Sequence, residues 1–362
     1  MGIKMSSPVW NKEQLQWKEN ICRWSRELGF AAIGFIKAQR NFELEAYLKK
    51  RQDNNLNTPY ETNDNRLRCD PQAVWNECQT VVVLAHPLPL SSSPGENEGI
   101  LARSAVGEDY HITVSNKLKL LCQEIIKNGW KSLPPKTQVD IGPLNERALA
   151  NQAGLGWLGR NQQLIIPGYG SFVSLGLLLL DQRLPSDDRI SGQCGSCKKC
   201  IEACPVRILG RADFEPKRCF AYLTQSKEVL SSKQVNKLGG RIFGCDTCQE
   251  VCPYNETRKM KENEITIPFT EELSFSKDQD LSKGLHRGVD LLKILNLTKR
   301  EFNIFYRSTA AGWRGKSILQ RNAFLALVKA DDGSLKEWLF EREKQNGLPP
   351  ILLPYLIYIP KA

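Results

Sequence analysis

The chain has no long hydrophobic run. Its longest apolar stretch, Phe172 to Leu180 in 362 residues, falls well short of the roughly 20 residues that a helix needs to cross a bilayer and suits a buried strand instead. The opening MGIKMSSPVWNKEQLQWKEN lacks the apolar core of a secretory signal, and its bare Met1-Gly2 to Ser6 acylation pattern is read as coincidence. There is no Walker A run. Gly154-Leu155-Gly156-Trp157-Leu158-Gly159 has the glycine spacing of a dinucleotide site, but it follows a helical pattern and not a strand, which excludes a Rossmann nucleotide site. No internal repeat of fixed period occurs, and histidine is scarce, at three residues. These absences, with reduced thiols, lead us to expect a cytoplasmic protein with no membrane association.

What is present is ordinary in bulk. Hydrophobic residues make up 41% and charged residues 25%, a composition that folds and does not suggest disorder. The length allows two or three domains. A formal net charge of +10, from 50 basic and 40 acidic residues, favours a polyanionic partner such as nucleic acid.

The cysteines are not ordinary. Eight of the twelve lie between Gln193 and Asn255. Cys194, Cys197, Cys200 and Cys204-Pro205 form the C-x2-C-x2-C-x3-C-P run in which three thiolates hold one cubane iron–sulphur cluster and the fourth reaches its neighbour. With Cys252-Pro253 as the counterpart of Cys204-Pro205, Cys252 completes the cluster of Cys194, Cys197 and Cys200. Cys204 then joins Cys219, Cys245 and Cys248 around the second. A pair of structural zinc sites would also take eight thiolates, although zinc knuckles come as separate C-x2-C pairs without the third cysteine or the proline. A disulfide framework belongs to small secreted domains. Two 4Fe-4S clusters form a wire, and the roughly 190 residues before them are expected to hold a second cofactor or a substrate.

Periodicity places helices at 12–28, 41–51 and 110–127, the last with Val114, Leu118, Leu120, Leu121 and Ile125 at helical spacing. Strands are expected at Ala31 to Phe35, at Thr80 to Ala85 as a central strand, and at Thr137 to Ile141 with Asp140 near its end. Pro143 is expected to open the helix NERALANQAG. Gln163 to Pro167 and Ser171 to Asp181 read as two strands joined by Gly168-Tyr169-Gly170. Pro87 to Gly99 reads as a long Pro/Ser/Gly loop, a lid or an excursion. From about Asp290 the chain turns helical, with a hairpin of Leu319 to Lys329 and Gly333 to Glu343.

The combination of VDIGPLNERALANQAGLGWLGRN, YGSFVSLGLLLLD, CGSCKKCIEACP, RIFGCDTCQEVCPYN and LQRNAFLAL resembles the epoxyqueuosine reductases, cobalamin-dependent iron–sulphur enzymes of queuosine biosynthesis. The resemblance covers about residues 28 to 330 and implies an α+β protein. Its parts are a mixed α/β cobalamin-binding and catalytic domain over 1–190, a ferredoxin-like double-cluster domain over 191–262, and a shortened HEAT-like helical region over 263–362. It implies that cobalamin, reduced through the two clusters by a ferredoxin or flavodoxin type of donor, removes the epoxide oxygen of epoxyqueuosine at the wobble position of tRNA. A monomer is expected.

Asp140 falls where the family has its proton donor. Expulsion of an epoxide oxygen needs an acid, while the alternative role for Asp140 is to cap the helix that follows. Arg68 matches a family arginine near the corrin, and Ser104 and Ala105 resemble the family's cofactor-facing segment. Ser171, Cys245 and Asp246 are assigned to the corrin and its nucleotide tail, and no axial histidine is implied. The tRNA would meet Arg258, Lys259, Lys261, Lys299, Arg300, Arg307, Arg314, Lys316 and Arg321. Trp313 would either stack on a base or pack in the core. Three departures stand out: Ile141 where the family has a small hydroxyl residue, Ala85-His86-Pro87 after the central strand, and the shortened C-terminus. Two other readings are a cobalamin reductase of another small substrate, akin to reductive dehalogenases, and a non-catalytic electron carrier. Asp140 and the intact VDIGP to GRN block weigh against the carrier, and LQRNAFLAL with the basic C-terminal region weighs for tRNA.

Overall fold

The computed structural model describes residues 10–89, 91–92, 94–95, 97–211, 213–256, 285–330, 333–345 and 347–359. In chain order the principal elements of the first half are α1 (Lys12–Glu27), β1 (Ala32–Lys37), α2 (Phe42–Asp53), β2 (Thr80–Pro87), β3 (Glu98–Leu101), α3 (Tyr110–Lys127), β4 (Lys136–Gln138), α4 (Glu146–Gln152) and β5 (Val173–Leu180). Then follow α5 (Ser232–Leu238), β6 (Arg241–Phe243), β7 (Gly288–Asp290), α6 (Leu291–Asn296), α7 (Lys299–Phe305), α8 (Lys316–Ala330) and α9 (Gly333–Gln345). The chain divides into two compact units. One comprises Met1–Pro87, Thr113–Cys197 and Pro253–Ile267, and the other Leu88–Ile112, Lys198–Cys252 and Pro268–Ala362.

The first unit is built on an antiparallel sheet of order β1-β2-β5-β4. Its two long central strands pair from Thr80↔Leu180 to Pro87↔Val173. Both read as continuous apolar runs because both faces are covered, so the alternation of a half-exposed strand is missing. Val81, Val82, Val83, Leu84, Leu177, Leu178 and Leu180 are completely buried. α1 starts on a reciprocal capping box between Asn11 and Gln14 and buries Trp17, Ile21 and Trp24. Gly176 lets α3 approach β5, since a Cβ there would sit 2.9 Å from Val114 and 3.0 Å from Leu118. The linker after β5 is irregular but tied down: Asp187 accepts the Phe35 amide at 2.9 Å and returns its own amide to the Phe35 carbonyl at 2.8 Å.

Two expectations about this unit need correction. The helix after Asp140 opens at Glu146, not Pro143, with Asn145 as its cap accepting the Ala148 amide at 3.2 Å. Asp140 is therefore not the cap of that helix. The Gly168-Tyr169-Gly170 turn is present, closed by Ile166 and Gly170. The two strands it joins, however, belong to different sheets, because Leu164–Ile165 pairs with Trp157–Leu158 while β5 joins the main sheet.

In the second unit β3 is the middle strand of a three-stranded sheet, antiparallel to β7 and parallel to β6. β3 begins inside the stretch whose composition reads as loop. Its partners lie far along the chain, and a local pattern does not carry such pairings. Gly99 serves the packing here, a Cβ being 2.5 Å from Ile242 and 2.7 Å from Leu291. α8 is buried from Ile318 to Val328. It forms the axis of a core with Leu291, Ile294, Leu295 and Trp338, the last from α9. The apolar C-terminal stretch makes a 3-10 helix, Pro350–Tyr358, that buries Leu352 and Tyr355, and Tyr355 accepts the Leu230 amide at 2.9 Å. No helix among the described residues is long and apolar enough to cross a membrane.

Candidate active site and cluster segment

Asp140 sits at the tip of the loop between β4 and α4 with φ 52°, the left-handed region that few non-glycine residues occupy. The Ile141 amide bonds back to the Val139 carbonyl at 2.6 Å, so Asp140 is the central residue of a tight three-residue turn, a strained arrangement that persists only when its surroundings enforce it. Two side chains do so. Glu146 accepts the Asp140 amide at 2.7 Å and the Gln138 side-chain amide at 3.2 Å. Gln138, itself buried, donates to the Leu144 carbonyl at 3.0 Å and accepts the Leu144 amide at 3.1 Å. The Asp140 side chain is exposed, and Ile141 beside it is 86% exposed.

Arg68 shares this neighbourhood. Its carbonyl accepts the Asn145 amide at 3.0 Å, and its guanidinium pairs with Glu61 at 2.9 Å. Arg147 lies within electrostatic reach of Asp140, Glu61, Arg68 and Glu146 and donates to the Gln162 carbonyl at 2.7 Å. Ser171 is buried in the same unit; its amide donates to Asn255 Oδ1 at 2.6 Å, and its hydroxyl accepts from Asn255 Nδ2 at 3.1 Å.

The second unit brings together the two segments singled out around Ser104-Ala105 and Cys245-Asp246. Ser104 and Ala105 form a 3-10 turn with Arg103. The Arg103 amide donates to Asp246 Oδ2 at 2.7 Å, and the Ala102 amide to the Phe243 carbonyl at 2.8 Å. Gly244, with φ 71°, permits the approach, since a Cβ there would lie 2.5 Å from Ala102 Cβ. Asp246 is buried, which pushes its carboxyl up against the opposing effects of the Arg103 amide and the Arg287 guanidinium. Arg287 Nη2 lies 3.5 Å from Asp246, its Nε donates to the Leu101 carbonyl at 2.9 Å, and Nη1 pairs with Glu250.

None of the eight cysteines of the segment is in a disulfide. Burial pushes Cys219 up to about 11, with Cys245 and Cys204 as charged neighbours raising it further. Burial likewise pushes Cys248 far up, assisted by Cys219, Cys245 and Cys200. Thiols crowded in apolar surroundings stay neutral unless a cation compensates them, and iron would do so with release of a proton from each. Among the described residues no three histidine, cysteine or carboxylate side chains converge on a point where one ion could sit. Arg241 Nε donates to Cys245 Sγ at 3.2 Å.

On the basic surface, Lys299, Arg300 and Arg307 are exposed. Trp313 is 53% exposed, not packed in the core, with Arg314 lying 4.7 Å over its ring and Gln225 accepting its indole N–H at 2.8 Å. Arg321 must be removed from this surface. It is 1% exposed and donates to the carbonyls of Leu223, Ser226 and Glu228 and to Asn322 Oδ1. Arg258, Lys259 and Lys261 lie outside the described residues.

Comparison with known proteins matches two stretches of the chain to family descriptions. Residues 68–140 match the family described as epoxyqueuosine reductase QueG, DUF1730, and residues 193–255 match a 4Fe-4S double cluster binding domain. An epoxyqueuosine reductase of Bacillus anthracis is 35% identical over 88% of this chain and 82% of its own. The chain belongs to the epoxyqueuosine reductase family. Among solved structures it is similar to the epoxyqueuosine reductase of Streptococcus thermophilus, with TM-score 0.80 and 31% identity over 92% of this chain and 86% of that one. It is also similar to an epoxyqueuosine reductase holding a tRNA-Tyr epoxyqueuosine-modified stem loop, with TM-score 0.78 and 29% identity over 93% and 87%. Gln138, Glu146 and Arg147 lie around Asp140, and Arg241 lies against Cys245; reading the sequence did not single out any of the four. Glu146 and Arg147, in the first turn of α4, look like any solvated pair, Gln138 and Arg241 lie on short strands, and the available signal was their position beside motifs already marked.

Proposed function

We propose that this protein reduces epoxyqueuosine to queuosine in tRNA, in the cytoplasm, as a monomer fed by a ferredoxin or flavodoxin type of donor. The observation that carries the reading is Asp140, an exposed acid held at φ 52° by side chains that fix its backbone, in a chain of this family. Deoxygenation of an epoxide takes two electrons and two protons and leaves an alkene and water. The double-cluster segment would deliver the electrons one at a time, and bound cobalamin would supply the two-electron reducing chemistry at the epoxide carbon.

The rest is the work of this chain. Asp140 would give its proton to the epoxide oxygen as the carbon–oxygen bond breaks, so that no free alkoxide has to be expelled. Gln138 and Glu146 hold its backbone in place. Arg68, Ser104, Ala105, Ser171, Cys245 and Asp246 would contact the corrin. The small side chains of the Ser104-Ala105 turn fit this role, because a broad macrocycle needs backbone within reach. Cys194, Cys197, Cys200 and Cys252 would hold one cluster and Cys204, Cys219, Cys245 and Cys248 the other, each as a thiolate. The division of labour follows 1–190 for cobalamin and catalysis, 191–262 for the clusters and 263–362 for the helical region. Lys299, Arg300, Arg307 and Arg314 would neutralise tRNA phosphates while exposed Trp313 stacks on an unpaired base.

The test is anaerobic reconstitution of the full chain with iron, sulphide and cobalamin, followed by nucleoside analysis of epoxyqueuosine-containing tRNA. Queuosine is the expected product. Its absence at full cluster and cobalamin loading overturns the reading.

A further inference from the structure

The contact between Arg241 and Cys245 is fixed from several sides. Besides the Nε bond to Sγ, Arg241 Nη1 donates to the Leu238 carbonyl at 2.7 Å and Nη2 to Thr247 Oγ1 at 2.7 Å. The guanidinium lies 5.3 Å from the centroid of the Phe220 ring. Gly239, at φ 62°, ends α5 without a side chain, and a Cβ there would come within 3.1 Å of Nη1. Thr247 Oγ1 is itself 3.4 Å from Cys245 Sγ. With three of its nitrogens committed and one face on an aromatic ring, the guanidinium cannot swing away from the sulphur.

We propose that Arg241 tunes the cluster ligated by Cys245, raising its reduction potential relative to the other cluster. This rests on the reading that Cys245 is a cluster ligand. Reduction of a 4Fe-4S cluster adds one electron and no proton, so the cluster and its thiolates gain one unit of negative charge. A fixed cation with an N–H aimed at a ligand sulphur stabilises that charge more than the oxidised state, and hydrogen bonds to cluster sulphurs are an established means of setting potential. Arginine suits the task because it stays charged and its planar fork serves the sulphur, the carbonyl and the hydroxyl together. The consequence is a downhill step for an electron arriving at the Cys245 cluster from its neighbour.

The experiment is a redox titration of the two cluster signals by electron paramagnetic resonance, on the full chain reconstituted anaerobically, with iron content measured for each variant. Arg241→Leu is expected to lower the midpoint of one cluster by about 59 mV, a tenfold change in a one-electron equilibrium, and to leave the other unmoved. Thr247→Val, which removes an anchor of the guanidinium, is expected to shift the same cluster in the same direction by less. Arg241→Lys, which keeps the charge, is expected to recover part of the shift. Unchanged midpoints at full iron loading overturn the proposal, and so does an equal shift of both clusters. If Arg241→Leu fails to load iron, Arg241→Lys and Thr247→Val decide, and unmoved midpoints in both overturn it. Cys245→Ser separates the two levels: if it leaves both signals unaltered, the ligand reading has failed, whatever Arg241 does.

Discussion

Asp140 and Ile141 stand in solvent on a turn closed by one backbone hydrogen bond and braced by Gln138 and Glu146. Cys200, Cys204 and Cys252 are buried, and Cys245 accepts from an arginine that is itself held by two further hydrogen bonds. An acid that must meet a bulky substrate needs an open approach, and little of the folding free energy resides there. A cluster ligand must hold one position through many electron transfers, so its surroundings are packed and its charges paired. Stability and activity are therefore expected to separate residue by residue, and each variant below tests that separation.

The largest effect is expected at Asp140. Asp140→Asn should lower kcat by about two to four orders of magnitude, the usual contribution of a positioned acid, with a melting temperature matching the parent. A large loss of stability instead would mean that the turn is a structural keystone.

Arg321→Met is expected to do the reverse. It leaves the Leu223, Ser226 and Glu228 carbonyls without their donor inside the core, which should cost about 3 kcal/mol or more in denaturant unfolding. Activity per folded molecule should be retained.

A smaller effect is expected at Glu146. Glu146→Ala should lower kcat about tenfold with KM for tRNA kept, because it releases the Asp140 backbone without touching its carboxyl. Glu146→Gln, which retains an acceptor, should recover most of the rate. In an Asp140→Asn background Glu146→Ala should have no further effect on kcat, since a residue that acts through another is silent once that other is gone.

The smallest lies at the edge of β3. The Gly95 amide and the His286 ring hold the Glu98 carboxyl below its ordinary range. Its folded value is lower than the unfolded one of about 4.3, so its contribution is complete above that pH and disappears as pH falls through the folded value. Glu98→Gln should cost under about 0.5 kcal/mol at neutral pH. Parent and variant should converge in thermal melts once the pH has fallen below the folded value.

Much of this was legible before any coordinates. The helix at 110–127, the buried central strands and the cysteine spacing each depend on a local period or a fixed interval, and a sequence displays both. The role of 98–101 was hidden because its partners are more than a hundred residues away. Arg321 was misread because burial of a charge depends on carbonyls supplied by residues 223–228, which no charge pattern reveals. Asp140 could be marked as an acid from the resemblance, but its positive φ and its grip by Glu146 come from three-dimensional closure of the loop.

The sheet of β6, β3 and β7 joins strands from three widely separated parts of the chain, and β6 leads directly into Cys245. During synthesis that sheet cannot close until residue 290 has emerged, long after the last cysteine at 252. Long-range pairings of this kind form slowly, and the thiols wait exposed in the interval. The thiols beyond β6 are therefore expected to stay accessible to oxidation until that sheet has closed.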